Sequence, residues 1–433
     1  MKRMRTVLII SPCFAPQATV AAFRWIKLSR HLARHGFRCV VLCGTFPDDT
    51  RDPDLLAVLP SECIVVDDYL DPRMIALQRK IAQLRPVAAV SSEGPRPLGG
   101  LRPFHSSKDR YAVHRFHAQA VAVDLARKYE ASAIVVSAGP FGAVPVAFHA
   151  GRTMRVPVIL DFRDPFGLHE SASLPSHDFF AAIRRRIVFS NERRWMSKAA
   201  HVVLNTRNAL DAYRERYPTI ELKSSFIRNH YDMALYEPVP ANPEPPTRLT
   251  ILHTGTLRAD TRLDDIGEAL RRLVERYKLG PKDIVFRQVG RMTDYERAQI
   301  ASMGIGDFVE TVPPVPQAAM LRELRKAHVL LSMFDACVRL RIAAKTYDYI
   351  AAGMPIVSIT ENAEVDELLA HRSDNVRLRP GDVDGLVATL SKHLEWFNQT
   401  RAWPTPVASP REFSSEVAAE RFANIIDRVM SLP

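Results

Sequence analysis

The chain has 433 residues, 25% of them charged and 47% hydrophobic, with a formal net charge of +11. That length exceeds one ordinary core and favours two or three domains, while the composition excludes a chain that is mainly disordered. The basic balance implies a surface that attracts phosphates, nucleic acid or an anionic membrane face, without choosing among them.

The chain opens with positive charge followed by Thr6-Val-Leu-Ile-Ile10, an apolar run too short for a secretory leader and well suited to a buried strand. A polar turn, Ser11-Pro-Cys-Phe-Ala-Pro16, leads into a helical pattern from Ala21 to His35. The next strand is Cys39-Val-Val-Leu-Cys43, whose alternation puts both cysteines on one buried face. The five cysteines form no Cys-x-x-Cys pair and no metal-spaced cluster with histidine, which fits a reducing cytoplasm.

Ile64-Val-Val66 is the third short strand. Asp71 to His117 then breaks the rhythm, being rich in Arg, Lys, His, Pro and Gly with only a weak helical pattern at Met74 to Leu84. We read it as an inserted basic arm, either a solvated loop or a contact for an anionic acceptor or membrane surface, with His105, His114 and His117 exposed. A helical pattern from Arg110 to Tyr129 follows. Strands Ala133-Ile-Val-Val136, Val156-Pro-Val-Ile-Leu160, His201-Val-Val-Leu204 and Ser225-Phe-Ile227 complete a doubly wound first half. The uncharged stretch from Ala131 to Phe148 is broken by Gly139-Pro140, Gly142 and Pro145, so no membrane span is expected.

Five prolines between Pro238 and Pro246 exclude a helix or central strand, and residues 236–247 are expected to link two domains, 1–235 and 248–408. The second set of strands is Leu249-Thr-Ile-Leu252, Ile284-Val-Phe286, Val329-Leu-Leu-Ser-Met333, Ile356-Val-Ser-Ile359 and Val376-Arg-Leu378. Residues 409–433 are expected to form a helix able to leave the second domain and pack on the first. The expected class is α/β, with two doubly wound Rossmann-like domains.

Ligands of such sheets bind beyond the carboxyl ends of the strands. Asp161-Phe-Arg-Asp164 directly follows one predicted strand, and two carboxylates flanking a guanidinium there are costly unless paired or engaged with a ligand. Gly255 in His253-Thr-Gly-Thr-Leu257 lets backbone approach a ligand, and Arg258 and Arg262 offer charge to phosphate oxygens. Gly290-Arg291 follows another strand. Lys345-Thr-Tyr-Asp348 places a cation and a carboxylate on one face at a helix start, the outline of a nucleotide-sugar diphosphate site, although such pairs are also common on exposed helices. There is no phosphate-loop, nucleophile-elbow or His-Glu-x-x-His motif, and no metal is expected.

In this order the motifs resemble family 4 glycosyltransferases, retaining enzymes of the GT-B fold, in a subgroup with an Asp-Phe-Arg-Asp-Pro motif. The resemblance rests on Ser11 to Pro16, Phe23-Arg-Trp25, His35-Gly36, Asp161 to Pro165, Arg228-Asn-His-Tyr-Asp232, His253 to Leu257 and Lys345 to Pro355. It implies two domains facing a central cleft and a nucleoside-diphosphate sugar as co-substrate, with no other cofactor. It implies transfer to a glycan or lipid-linked acceptor hydroxyl with retained configuration, in surface-glycan biosynthesis, on the cytoplasmic side or peripheral at the membrane.

By the resemblance, Asp348 binds the ribose and the amides around Ala344 and Lys345 hold the diphosphate. Gly255, Thr256, Arg258, Gly290 and Arg291 complete the donor site. Arg163, Asp164, Arg262 and Lys345 carry the chemistry, and Asp161 and Arg24 lie on the acceptor side. Two positions depart from the family: its first glutamate is Leu340, and its first-loop glycines are replaced near Ala18 to Ala22. These departures motivate a second expectation, a catalytically silent GT-B-like binding or regulatory subunit. Specific nucleic-acid binding is not expected, since aromatic and glycine-rich RNA motifs are lacking.

Overall fold

The computed structural model describes residues 4–84, 109–168, 179–239, 244–257, 261–334 and 339–431. Most of the predicted basic arm, and Arg258 of the predicted donor site, lie outside the described residues. The described residues divide into two compact units, one formed by those up to His230 and from Ser414 onward and the other by those from Tyr231 to Phe413.

In unit 1, seven parallel strands are β1 (Arg5–Ile10), β2 (Phe37–Cys43), β3 (Ile64–Asp67), β4 (Ala131–Ala138), β5 (Val158–Phe162), β6 (His201–Leu204) and β7 (Ser224–Phe226), ordered β3-β2-β1-β4-β5-β6-β7. The β-branched runs are buried on both sides because helices cover both faces of a parallel sheet. The principal helices are α1 (Val20–Leu32), α2 (Asp54–Ala57), α3 (Pro72–Leu84), α4 (Arg115–Lys128), α5 (Val144–Met154), α6 (Phe179–Lys198) and α7 (Arg207–Arg216). Leu8 pairs with Ile134 and Leu8 also with Val40, so the strand order reverses beside β1. That reversal opens a crevice at the carboxyl ends of β1 and β4.

Unit 2 repeats the plan with β8 (Leu249–Thr254), β9 (Ile284–Val289), β10 (Val309–Val312), β11 (Val329–Met333), β12 (Ile356–Ile359) and β13 (Val376–Leu378), ordered β10-β9-β8-β11-β12-β13. Its helices include α8 (Leu263–Tyr277), α9 (Asp294–Ser302), α10 (Gln317–Leu324), α11 (Ala344–Ala352), α12 (Val365–Leu369) and α13 (Val383–Thr400). Here the order reverses between β8 and β11, where Ile251 pairs with Val329. Both units are Rossmann-like. The last helix, α14 (Ser415–Met430), belongs to unit 1, where its Phe422 ring meets Trp25 of α1 edge-on at 5.0 Å.

Two sequence expectations need correction. His114 is wholly buried, because its Nδ1 accepts the backbone N–H of Asp71 at 3.0 Å, and His117 is half-buried with Nε2 3.0 Å from Asp68 Oδ1. Both were expected to be exposed and without carboxylate partners. Strand β5 also runs to Phe162, so Asp161 lies within the strand and not beyond its end. Its side chain therefore points into packed structure. Among the described residues no helix is long and apolar enough to cross a membrane.

Candidate functional site

In unit 1, Asp161 is fully buried, and a bare carboxylate there would carry a large desolvation cost. Arg24 meets it in a fork, Nε to Oδ2 and Nη2 to Oδ1 both at 2.8 Å, and the Trp25 indole donates to Oδ2 at 2.8 Å. The remaining Arg24 hydrogens go to the carbonyls of Ile227 at 2.9 Å and Arg228 at 3.1 Å and to Asn229 Oδ1 at 3.4 Å. The pair thus ties α1 to β5 and to the chain following β7. With side-chain exposures of 1% and 0%, Arg24 and Asp161 offer no surface to an acceptor.

Arg163 and Asp164 differ. They follow β5 at the crevice, where Arg163 donates to the Gly139 carbonyl at 2.7 Å and pairs with Asp164 at 3.3 Å. The Arg163 side chain is 14% exposed and that of Asp164 36%, so this pair keeps an outward edge. Just beyond it, Phe166 and Gly167 donate backbone N–H groups to the Tyr213 hydroxyl and to the buried Glu192 carboxylate. Tyr213 and Tyr217 donate to the same carboxylate, so the loop bearing Arg163 rests on a closed polar network.

In unit 2 the end of β8 turns at Gly255, whose φ of +97° suits glycine, and Gly290 packs against it. A Cβ on Gly290 would lie 2.2 Å from the Gly255 carbonyl oxygen, and its own φ of +137° again requires glycine. Gly255 is exposed, Thr256 half-buried and the Arg291 side chain exposed. The predicted role of Gly290 is therefore indirect, since it lets the Gly255 turn sit low on the sheet.

Helix α11 is aimed at this turn. Its nine residues begin at Ala344 and stop at Gly353, and Tyr349 pins it by accepting the Thr254 backbone N–H at 2.9 Å. Lys345 sits in the first turn, where the helix dipole disfavours a cation unless an anion or acceptor is near. Its Nζ lies 2.7 Å from His253 Nε2. The other ring nitrogen, Nδ1, is 2.6 Å from Gln288 Oε1, and Gln288 Nε2 donates to the Gly255 carbonyl at 2.7 Å. Burial pushes the His253 imidazole well below its ordinary pKa, and Lys345 adds to the effect.

Asp348, one turn along α11, is half-buried and accepts a hydrogen bond from Tyr236. Burial pushes the Tyr236 phenol up, with the Asp348 carboxylate adding to it. Arg262 stands just before α8 and forks onto Asp265 at 3.1 and 2.8 Å, while Asp265 also accepts the Gly381 N–H at 2.9 Å. Of the predicted donor residues, the structure gathers Gly255, Thr256 and Lys345 at the β8 turn. Arg262 is engaged internally, with its side chain 32% exposed.

Three participants were missed by sequence reasoning: Gln288, Tyr236 and Asp265. Gln288 had a signal, being an uncharged polar residue in the apolar strand Ile284 to Val289. Tyr236 lay in the proline-rich segment expected to be linker, yet it is buried in the core of unit 2.

No family model and no curated protein matches this sequence. Solved structures do match it. Sucrose-phosphate synthase from Thermosynechococcus elongatus is similar with a TM-score of 0.69 at 13% identity, covering 99% of each chain. A glycosyltransferase from Rickettsia africae gives 0.63 at 10% identity, covering 99% of this chain and 100% of that one. Anabaena HepE in complex with UDP-glucose gives 0.58 at 14% identity, covering 98% of each. The shared fold is GT-B, with two Rossmann-like units.

Proposed function

We propose that this chain is a glycosyltransferase that moves a sugar from a nucleoside diphosphate to an acceptor hydroxyl with retention, as family 4 enzymes do. Charge that builds on the departing diphosphate is offset by Lys345, by the N-terminal amides of α11 and by the arginines at 258 and 262, without a metal. Asp348 holds the ribose. In unit 1, Arg163 and Asp164 present a guanidinium and a carboxylate to the acceptor, here assigned as a glycan or lipid-linked hydroxyl of surface-glycan synthesis. The observation that carries the reading is the Lys345 ammonium held at an exposed glycine turn and a helix N-terminus, on a fold that a UDP-glucose complex also adopts.

A second reading has its own observations. Leu340 replaces an expected glutamate and Arg262 is spent on Asp265, which fits a subunit that binds a nucleotide sugar but does not turn it over. Incubating the purified chain with UDP-, GDP- and ADP-linked sugars separates the two. Release of nucleoside diphosphate by wild type, lowered roughly 30-fold or more in Lys345→Ala through loss of about 2 kcal/mol of charge-assisted bonding, is the expected result. Binding without release selects the silent subunit, and binding of none overturns both.

A further inference from the structure

The hydrogen bonds of His253 can run in one direction only. A lysine ammonium donates and never accepts, so Nε2 of the ring accepts from Lys345. Nδ1 therefore carries the proton and donates to Gln288 Oε1, which leaves the Gln288 amide nitrogen to donate to the Gly255 carbonyl. Both ring nitrogens are thereby matched, and the ring is neutral beside a full positive charge. Such an arrangement also fixes the amide orientation of Gln288, which alone could face either way.

The consequence reaches the ligand side. Carbonyl and following N–H point to opposite sides of a trans peptide. With the Gly255 carbonyl turned to Gln288, the Thr256 N–H is turned the opposite way, away from Gln288, at a residue next to the exposed Gly255. We infer that His253 is a positioning residue that sets Lys345 and the Gly255–Thr256 peptide together, so that one ammonium and one backbone N–H meet the same diphosphate. This rests on the donor-binding reading above and assigns to it a residue buried beneath the site. Removing the ring takes one acceptor from an ammonium that sits in the unfavourable field of the α11 N-terminus, and breaks the hydrogen-bonded run that orients the peptide.

Two measurements test it. Calorimetric titration with UDP, GDP and ADP should show His253→Ala binding the preferred nucleotide at least tenfold more weakly than wild type. In a Lys345→Ala background the same change should cost threefold or less, whereas a merely structural role would cost the same in both backgrounds. Gln288→Leu, which keeps His253 and Lys345, should weaken binding by an intermediate factor. Nitrogen-15 spectra of the imidazoles, assigned by the signal lost in His253→Gln, should show His253 as the neutral Nδ1–H form. An Nε2–H form or an imidazolium would overturn the proposal, as would equal affinity of wild type and the two single variants. If wild type binds none of the three nucleotides, the donor reading itself falls and takes the ligand with it. The tautomer measurement still reports the relay separately.

Discussion

Each unit carries a cation beside a carboxylate near the carboxyl end of its sheet, and the two places use them differently. In unit 1, Arg24 and Asp161 pair in a fork, with Trp25, two backbone carbonyls and the Asn229 amide oxygen taking what remains. In unit 2, Lys345 and Asp348 are half-buried, and among their contacts are two neutral groups, the His253 imidazole and the Tyr236 hydroxyl. Buried and mutually paired, the first is a tie; half-burial beside an exposed glycine makes the second the candidate site. Nearness to the carboxyl edge of a sheet is shared by both and therefore does not distinguish them.

The largest expected effect breaks the tie. Asp161→Ala leaves the Arg24 guanidinium buried without its anion, and we expect a loss of about 3–5 kcal/mol in urea unfolding. Asp161→Asn, which retains one acceptor, should lose less. Nucleotide affinity of the folded protein should remain within about twofold, since unit 2 is unchanged. Near-native stability together with lost transfer would instead place Asp161 among the working groups.

The contrast between tie and site was only partly legible in the sequence. Short β-branched runs announced most strands, since burial on both faces demands them, and the Gly255 turn and the α11 start were marked by their own residues. Strand β10 was not foreseen because Val309-Glu-Thr-Val312 is a half-buried edge with no continuous apolar run. The partnership of Arg24 with Asp161 spans 137 positions, and no local pattern announces it. The same holds for Gln288, whose function depends on a histidine one strand away. What a sequence shows directly is periodicity and backbone permission. Which polar atoms are already satisfied is decided by tertiary pairing.

Acid offers a smaller test, centred on the polar interior of unit 1. His201 is pushed down to about 4 by burial, with Arg428, Arg214 and Lys223 adding, and its Nε2 lies 2.9 Å from the Ser225 hydroxyl. Its folded value lies below the unfolded value near 6.5, so the unfolded chain takes up a proton first. Stability is therefore intact above about pH 6.5 and falls as pH drops toward 4, by at most about 1.4 kcal/mol per pH unit for this residue. Unfolding of His201→Gln measured across that range should show a shallower loss than wild type. An unchanged slope would mean that the ring is protonated in the folded state.

The smallest effect bears on whether Asp348 belongs with the site or with the tie. Tyr236→Phe removes one hydrogen bond to a carboxylate that water can reach, so unfolding should shift by only about 0.5–1.5 kcal/mol. If Asp348 holds a ribose, the lost hydroxyl loosens the carboxylate, and nucleotide affinity should fall about three- to tenfold while the affinity of a base-free probe, inorganic pyrophosphate, stays the same. A stability loss above about 3 kcal/mol with unchanged nucleotide binding would assign Asp348 to the same class as Asp161. Lys345 would then remain as a charged contact at the Gly255 turn, and discrimination of the nucleoside would have to come from other residues of unit 2.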